Sequence, residues 1–270
     1  FLFWTLRQKT FLLGDGFLVL RTIANQQRVE DIPQQSFADS PLVSLIAWKL
    51  KLVFANFGFD PANERAFQVL SILAGIACIG PLFWIARLIS NDAVEKALIV
   101  SFIAVSGSSQ LFFGYVETYA PVYAGLLLFI VVGCSYLRGR MSLLIPSLMF
   151  SILFSLHFGI LLMAPAMFFL SFQEVRRRRV ISAVISFLTM IMCALGILWL
   201  CGYTPHSFLE FFQRESHVVP FTGPLDSAQA YTLFSIKHFL EILNLQLLLS
   251  PFALIMPVVL FSLYGKRDVL

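Results

Sequence analysis

The sequence is poor in charge. Only 13% of its 270 residues are Asp, Glu, Lys or Arg, whereas 59% are hydrophobic, 15% are aromatic and Phe alone accounts for 29. An average soluble domain is about a quarter charged. The chain therefore has about half the charge needed to cover a globule, which excludes a soluble enzyme and a nucleic-acid-binding domain before any motif is read. Cysteine is also sparse: Cys78, Cys134, Cys193 and Cys201 form no CxxC pair. Three of them fall in long apolar runs and read as small packing residues, so a disulfide scaffold is excluded too. Neither HxxxH nor HExxH spacing occurs among the four His, which argues against a zinc site on one helix. The stretch Phe1–Leu13 mixes Arg7 and Lys9 with Phe and Leu and lacks a signal-peptide pattern. With Phe at residue 1, the reading is of a piece of a longer protein whose first span lies upstream.

What is present is a series of apolar runs. About 20 apolar residues cross a bilayer as a helix, fewer inside a bundle. Runs at 66–86, 97–114, 120–136, 141–156, 158–173, 180–201 and 247–264 give an all-α polytopic membrane protein of about seven spans. The stretch 41–57, interrupted by Lys49 and Lys51, reads as an interfacial or partly inserted helix. Four regions result: a first outer loop at 1–65, a helix bundle at 66–201, a second outer loop with amphipathic helices at 202–246, and a last span and inner end at 247–270.

Sidedness follows from the basic residues, which gather on the cytoplasmic side. The loops Arg87–Lys96, Arg138–Arg140, Glu174–Arg179 and Lys266–Asp268 fall on one side and hold ten basic and four acidic residues. The other side holds nine basic and eleven acidic residues, so the overall charge of +4 divides into +6 inside and −2 outside. Arg176–Arg179 accordingly reads as a topogenic anchor, not a nucleic-acid site. All four His lie on the outer side, where the segments are long enough to line a cavity.

Several outer residues could carry chemistry. Asp15 lies between Gly14 and Gly16, where the backbone can approach a ligand closely; an Asx turn or N-cap opening a helix over 17–25 is the plainer alternative. Asp39 and Ser40 precede Pro41 as an N-cap signature with Pro at the first helical position. Glu30 and Asp31 read as solvated loop acids. Glu117, in Gly114-Tyr115-Val116-Glu117-Thr118-Tyr119 between two spans, is costly at a hydrocarbon boundary unless it faces water or a partner. Its alternative is a snorkelling acid in an aromatic belt with Tyr115, Tyr119 and Tyr123. His157 sits at a turn between two short spans, as a ligand or as a satisfied boundary residue. A helix capped by Ser235 sets His238, Glu241 and Asn244 on nearby turns, beside Lys237, suited either to a phosphate or to anchoring in lipid. The segment Tyr203–Glu215 reads as an amphipathic surface helix.

Together these motifs resemble the GT-C superfamily of polytopic glycosyltransferases. The resemblance rests on Gly14-Asp15-Gly16 in the first outer loop, Pro41-Leu42 opening a re-entrant-like helix and Glu117-Thr118-Tyr119 at the second outer turn. It extends to Ser155-Leu156-His157-Phe158 before Leu161–Pro165, and to the Phe234–Leu240 helix. It implies an enzyme of the bacterial inner membrane whose site faces outward and which takes a sugar from a polyprenyl-phosphate lipid. Asp15 would take the place of the family's loop-one acid and act as general base, and Glu117 would fall near its second-loop acid. Arg21, His157, Lys237 and His238 would bind substrate and offset the phosphate. No metal ligand set is assigned, although Asp15 with a second carboxylate could hold a divalent ion. Two departures stand out: Asp15 has no adjacent second acid, and the family's later spans and soluble domain are missing from this sequence. A transporter or flippase is the main alternative, with an assembly factor as a third. Against transport, no charge falls mid-span, no Gly/Pro-broken helices recur in two halves, and there is no internal repeat.

Overall fold

The computed structural model describes residues 2–5, 16–34, 38–59, 61–112, 114–214, 232 and 235–249. These are helices and connecting turns, with no strand among the described residues. In chain order the helices are α1 (Leu2–Thr5), α2 (Gly16–Asn25), α3 (Pro41–Asn56), α4 (Ala62–Ile89), α5 (Ala93–Ala104), α6 (Tyr119–Leu137), α7 (Leu144–Leu156), α8 (Ala164–Arg176), α9 (Val180–Leu200), α10 (Pro205–Arg214) and α11 (Ile236–Leu249). Short 3-10 turns occupy Val29–Gln34, Gly107–Phe112 and Phe158–Met163, the last running directly into α8.

Among the described residues, four helical stretches are long and apolar enough to cross a membrane: Ala62–Ile89, Tyr119–Leu137, Phe158–Arg176 and Val180–Leu200. The seven-span reading is corrected accordingly. The run at 97–114 does not form one helix, because α5 stops at Ala104 and the polar stretch Ser106–Gln110 continues as a 3-10 turn. Serine hydroxyls there offer hydrogen bonds that compete with the α-helical ladder: those of Ser106 and Ser109 donate to the carbonyls of Ile103 and Ser106. The run at 141–156 yields α7, apolar but only 13 residues long. The last proposed span, 247–264, lies outside the described residues beyond Leu249.

Lipid tails are as apolar as Leu, so spanning helices associate through close packing of small residues and through interhelical hydrogen bonds. Both devices operate here. Gly125 of α6 lies against α7 so closely that a Cβ would meet Leu153 Cδ2 at 2.5 Å. On α7, Ser147, Ser151 and Ser155 form a fully buried stripe at four-residue spacing, and the Ser151 hydroxyl donates 2.7 Å to the Met190 carbonyl of α9. The main core joins α2, α3, α4, α6, α7 and α8 through residues such as Ile23, Val43, Phe67, Phe129 and Leu153. α9, with a mean hydropathy of 2.4, adds Ala183 to this core, yet only 11% of its span is buried among the described residues.

Contacts sort the turns into two ends. At one end the Arg138 guanidinium donates to the Leu88 carbonyl and Arg177 donates 3.1 Å to the Leu137 carbonyl, which brings together the C-terminal ends of α4, α6 and α8. At the other, Asp39, Tyr119, His157 and Tyr203 meet.

Candidate functional site

The site is built where α3 begins. Pro41 fixes the first helical turn, and Ser40 occupies the N-cap position without a side-chain capping bond. The N-cap signature read from the sequence therefore holds in position, with Ser40 as the cap and Pro41 opening the helix, but no side-chain capping bond forms. The Asp39 carboxylate is drawn instead to His157, whose Nε2 lies 3.3 Å from Asp39 Oδ2. The Ser40 hydroxyl donates 3.2 Å to Asp39 Oδ1. Below the carboxylate, the Asp39 carbonyl accepts the Phe158 N–H at 2.8 Å.

His157 is held just as firmly. It ends α7 in an extended conformation, φ −161° and ψ 127°, and its Nδ1 accepts the Gly159 N–H at 2.9 Å. That bond occupies the Nδ1 lone pair and assigns the proton of a neutral ring to Nε2, aimed at Asp39. Tyr119 stacks on the imidazole with ring centroids 5.3 Å apart and planes 24° apart. Burial lowers the His157 pKa from its ordinary value, against the opposing pull of Asp39. The imidazole is thus neutral near pH 7, and the remaining acceptor in the cluster is the half-exposed Asp39 carboxylate.

Glu117 is buried in the turn that leads to Tyr119, at 7% exposure, next to Val116 and Thr118, which are also buried. A second element closes over this region. The Tyr203 hydroxyl donates to the Ala38 carbonyl, one residue before Asp39, and Phe158 packs against Tyr203, Phe208 and Phe211. Gly202 makes that approach feasible: its φ is +84°, and a Cβ there would lie 2.7 Å from the Val29 carbonyl oxygen.

Beside the aromatic cluster is an apolar groove of about 720 Å³ between α7, α9 and α10, lined by Phe154, Met190, Leu195, Trp199, Tyr203 and Phe208 among others. Trp199 and Leu195 are largely exposed at its edge. Phe158, the residue after His157, contacts three of the lining rings, Phe154, Tyr203 and Phe208, and so connects the groove with the Asp39–His157 pair.

The remaining candidates are distributed differently. Asp15 and Gly14 lie outside the described residues, as does His217. Arg21 is exposed on α2, whose buried Val19 and Ile23 face the core. Lys237 is exposed and His238 half-buried on α11, which packs against the turn Gly107–Phe112; the Ser235 hydroxyl accepts the His238 N–H at 3.2 Å. Asp31 is not simply solvated, because its Oδ2 accepts the N–H groups of Arg28 and Gln27 at 2.8 and 3.0 Å. Those bonds, Arg28 first, lower its pKa. No group of three His, Cys, Asp or Glu among the described residues is placed to hold a metal ion. The pairing of Asp39 with His157 is absent from the sequence reading, since the two are 118 residues apart and their contact depends on α3 packing against α7. No family model, curated protein or solved structure matches this chain.

Proposed function

We propose that the protein is a membrane glycosyltransferase of GT-C type that takes a sugar from a polyprenyl-phosphate donor, with its site on the outer face of a bacterial inner membrane. One juxtaposition carries this reading. The Asp39–His157–Tyr119 cluster, with Glu117 buried in the adjoining turn, is connected through Phe158 to an apolar groove open to lipid. A lipid-linked sugar has the same two parts, a polar head for chemistry and a hydrocarbon chain for binding.

In the reaction the acceptor oxygen attacks the anomeric carbon as the carbon–oxygen bond to phosphate breaks. The acceptor proton passes to a carboxylate, and polyprenyl phosphate leaves with its electron pair, inverting the sugar carbon. Phosphate is a good leaving group, so the enzyme's part is to orient the hydroxyl, remove its proton and offset charge. Asp15 is the base in this reading and Glu117 assists. His157 positions the outer turns through Asp39, and Arg21, Lys237 and His238 offset the phosphate.

The test is transfer of labelled sugar from polyprenyl-phosphate donors by the full-length protein in membranes. A positioned base contributes about a hundredfold or more, so Asp15→Asn and Glu117→Gln should each lower turnover by about that factor at unchanged expression. Full activity in Asp15→Asn overturns the assignment.

A further inference from the structure

At the arginine-rich end, residues 80, 83, 84, 87 and 88 of α4 fall at helical spacing on one face. Together with Arg140 they line a pocket of about 550 Å³. Its apolar part is formed by Gly80 and the exposed Phe83, and a Cβ added at Gly80 would meet nothing within 4 Å. Seven residues further along, about 10 Å at 1.5 Å per residue, stands the exposed Arg87. Trp84, at 44% exposure, lies between them, and Trp is a residue that favours the membrane–water interface.

The second arginine is fixed by backbone geometry. α6 ends at Leu137, Gly139 adopts φ +72°, and the Gly139 and Arg140 N–H groups donate to the carbonyls of Tyr136 and Ser135 at 2.8 and 2.9 Å. This is a Schellman turn, which only a residue tolerant of positive φ closes readily, and it sets Arg140 opposite α4. Arg138 is engaged with the Leu88 carbonyl at the end of α4. The nearby acids are engaged as well: Asp92 accepts the Val94 and Glu95 N–H groups, and Glu95 accepts the Ser90 hydroxyl. Among the described residues neither Arg87 nor Arg140 has a carboxylate within ion-pair distance. Two uncompensated guanidiniums therefore stand above an apolar slot at the membrane boundary.

We propose that this pocket binds an anionic phospholipid, its phosphate between Arg87 and Arg140 and an acyl chain along Gly80 and Phe83. Charge complementarity selects the head group, and the open apolar floor selects a lipid over a free anion. Guanidiniums suit phosphate because they present paired donors. The site is at the opposite end of the bundle from the proposed active site and does not depend on it.

The experiment uses the full-length protein in nanodiscs of phosphatidylcholine containing a tenth of either brominated phosphatidylglycerol or brominated phosphatidylcholine. Quenching of Trp84 is read as the difference from Trp84→Phe. Phosphatidylglycerol should quench several-fold more than phosphatidylcholine at equal mole fraction. A basic residue near a membrane surface is worth about fivefold in anionic lipid affinity, so Arg87→Gln and Arg140→Gln should each remove about that factor. Gly80→Leu, which fills open space on a helix, should reduce quenching by the acyl bromines while the unfolding temperature holds or rises. Equal quenching by the two lipids overturns the proposal, as does a preference that survives both arginine substitutions. Loss of the preference on adding millimolar inorganic phosphate at constant ionic strength would identify a free-anion site and overturn the lipid assignment.

Discussion

The imidazole of His157 makes two contacts across a helix break: Nδ1 accepts the Gly159 N–H, and Nε2 lies 3.3 Å from the Asp39 carboxylate. Replacing it with Ala leaves a backbone donor and a carboxylate without that partner, at a cost of about 1–3 kcal/mol for a group of this burial. His157→Ala should therefore lower the thermal unfolding midpoint of the purified protein, and His157→Gln should recover part of the loss. The pH dependence has a definite sign. Burial holds the His157 pKa below its ordinary value of 6.5, so the unfolded chain takes up a proton that the folded ring resists. Its contribution to stability is complete above pH 6.5 and declines as pH falls below that value. Midpoints measured from pH 5 to 7.5 should slope upward, and His157→Gln should flatten the slope. The sequence marks His157 and Glu117 as suspicious because polar groups at a hydrocarbon boundary need a reason. It offers no means of finding Asp39, since an Asp-Ser-Pro signature suits a helix cap equally well.

At the scale of elements, the most instructive case is a lysine that resembles an interruption. Lys49 and Lys51 within 41–57 suggest an interfacial helix, and α3 does form over Pro41–Asn56 with Val43, Ala47 and Trp48 buried. Lys51 joins two helices, because its ammonium donates 2.8 and 2.9 Å to the Ile23 and Ala24 carbonyls at the C-terminal end of α2. A cation there satisfies orphan carbonyls and complements the helix dipole, while burial lowers the Lys51 pKa. Lys51→Met should cost about 1 kcal/mol, seen as faster amide exchange in residues 20–25 with little change elsewhere. Gly202 is a stricter constraint. Ala there meets both a positive φ and the Val29 carbonyl oxygen at 2.7 Å, a combination worth about 1–3 kcal/mol. Gly202→Ala should lower the unfolding midpoint, and a smaller effect than that of an exposed Gly58→Ala would contradict the described approach of the turn to Val29–Gln34. Nothing in the sequence distinguishes Gly202 from other loop glycines, because its partner is 173 residues away.

For the molecule as a whole, hydropathy locates the apolar material well and its division into spans less well. Composition gives the amount of apolar surface. Where a helix stops depends on local competition, as at Ser106–Gln110, and whether it is clad in protein or lipid depends on neighbours. α9 shows the difference: it is strongly apolar yet little of it is buried among the described residues, and the groove it forms with α7 and α10 is a tertiary feature that no single segment encodes. That groove gives the proposed function its sharpest test. Ala194 lines it on α9, half-buried and bordering empty volume, so Ala194→Phe can enter without displacing core residues. If the groove holds the donor's hydrocarbon chain, this substitution should raise KM for a long-chain polyprenyl-phosphate sugar about tenfold, the equivalent of about 1.4 kcal/mol of lost chain burial. It should leave KM for a short-chain donor unchanged, and the unfolding midpoint should hold. An equal effect on both donors would show that the chain binds elsewhere, because a short donor never reaches the Phe that a long one must pass.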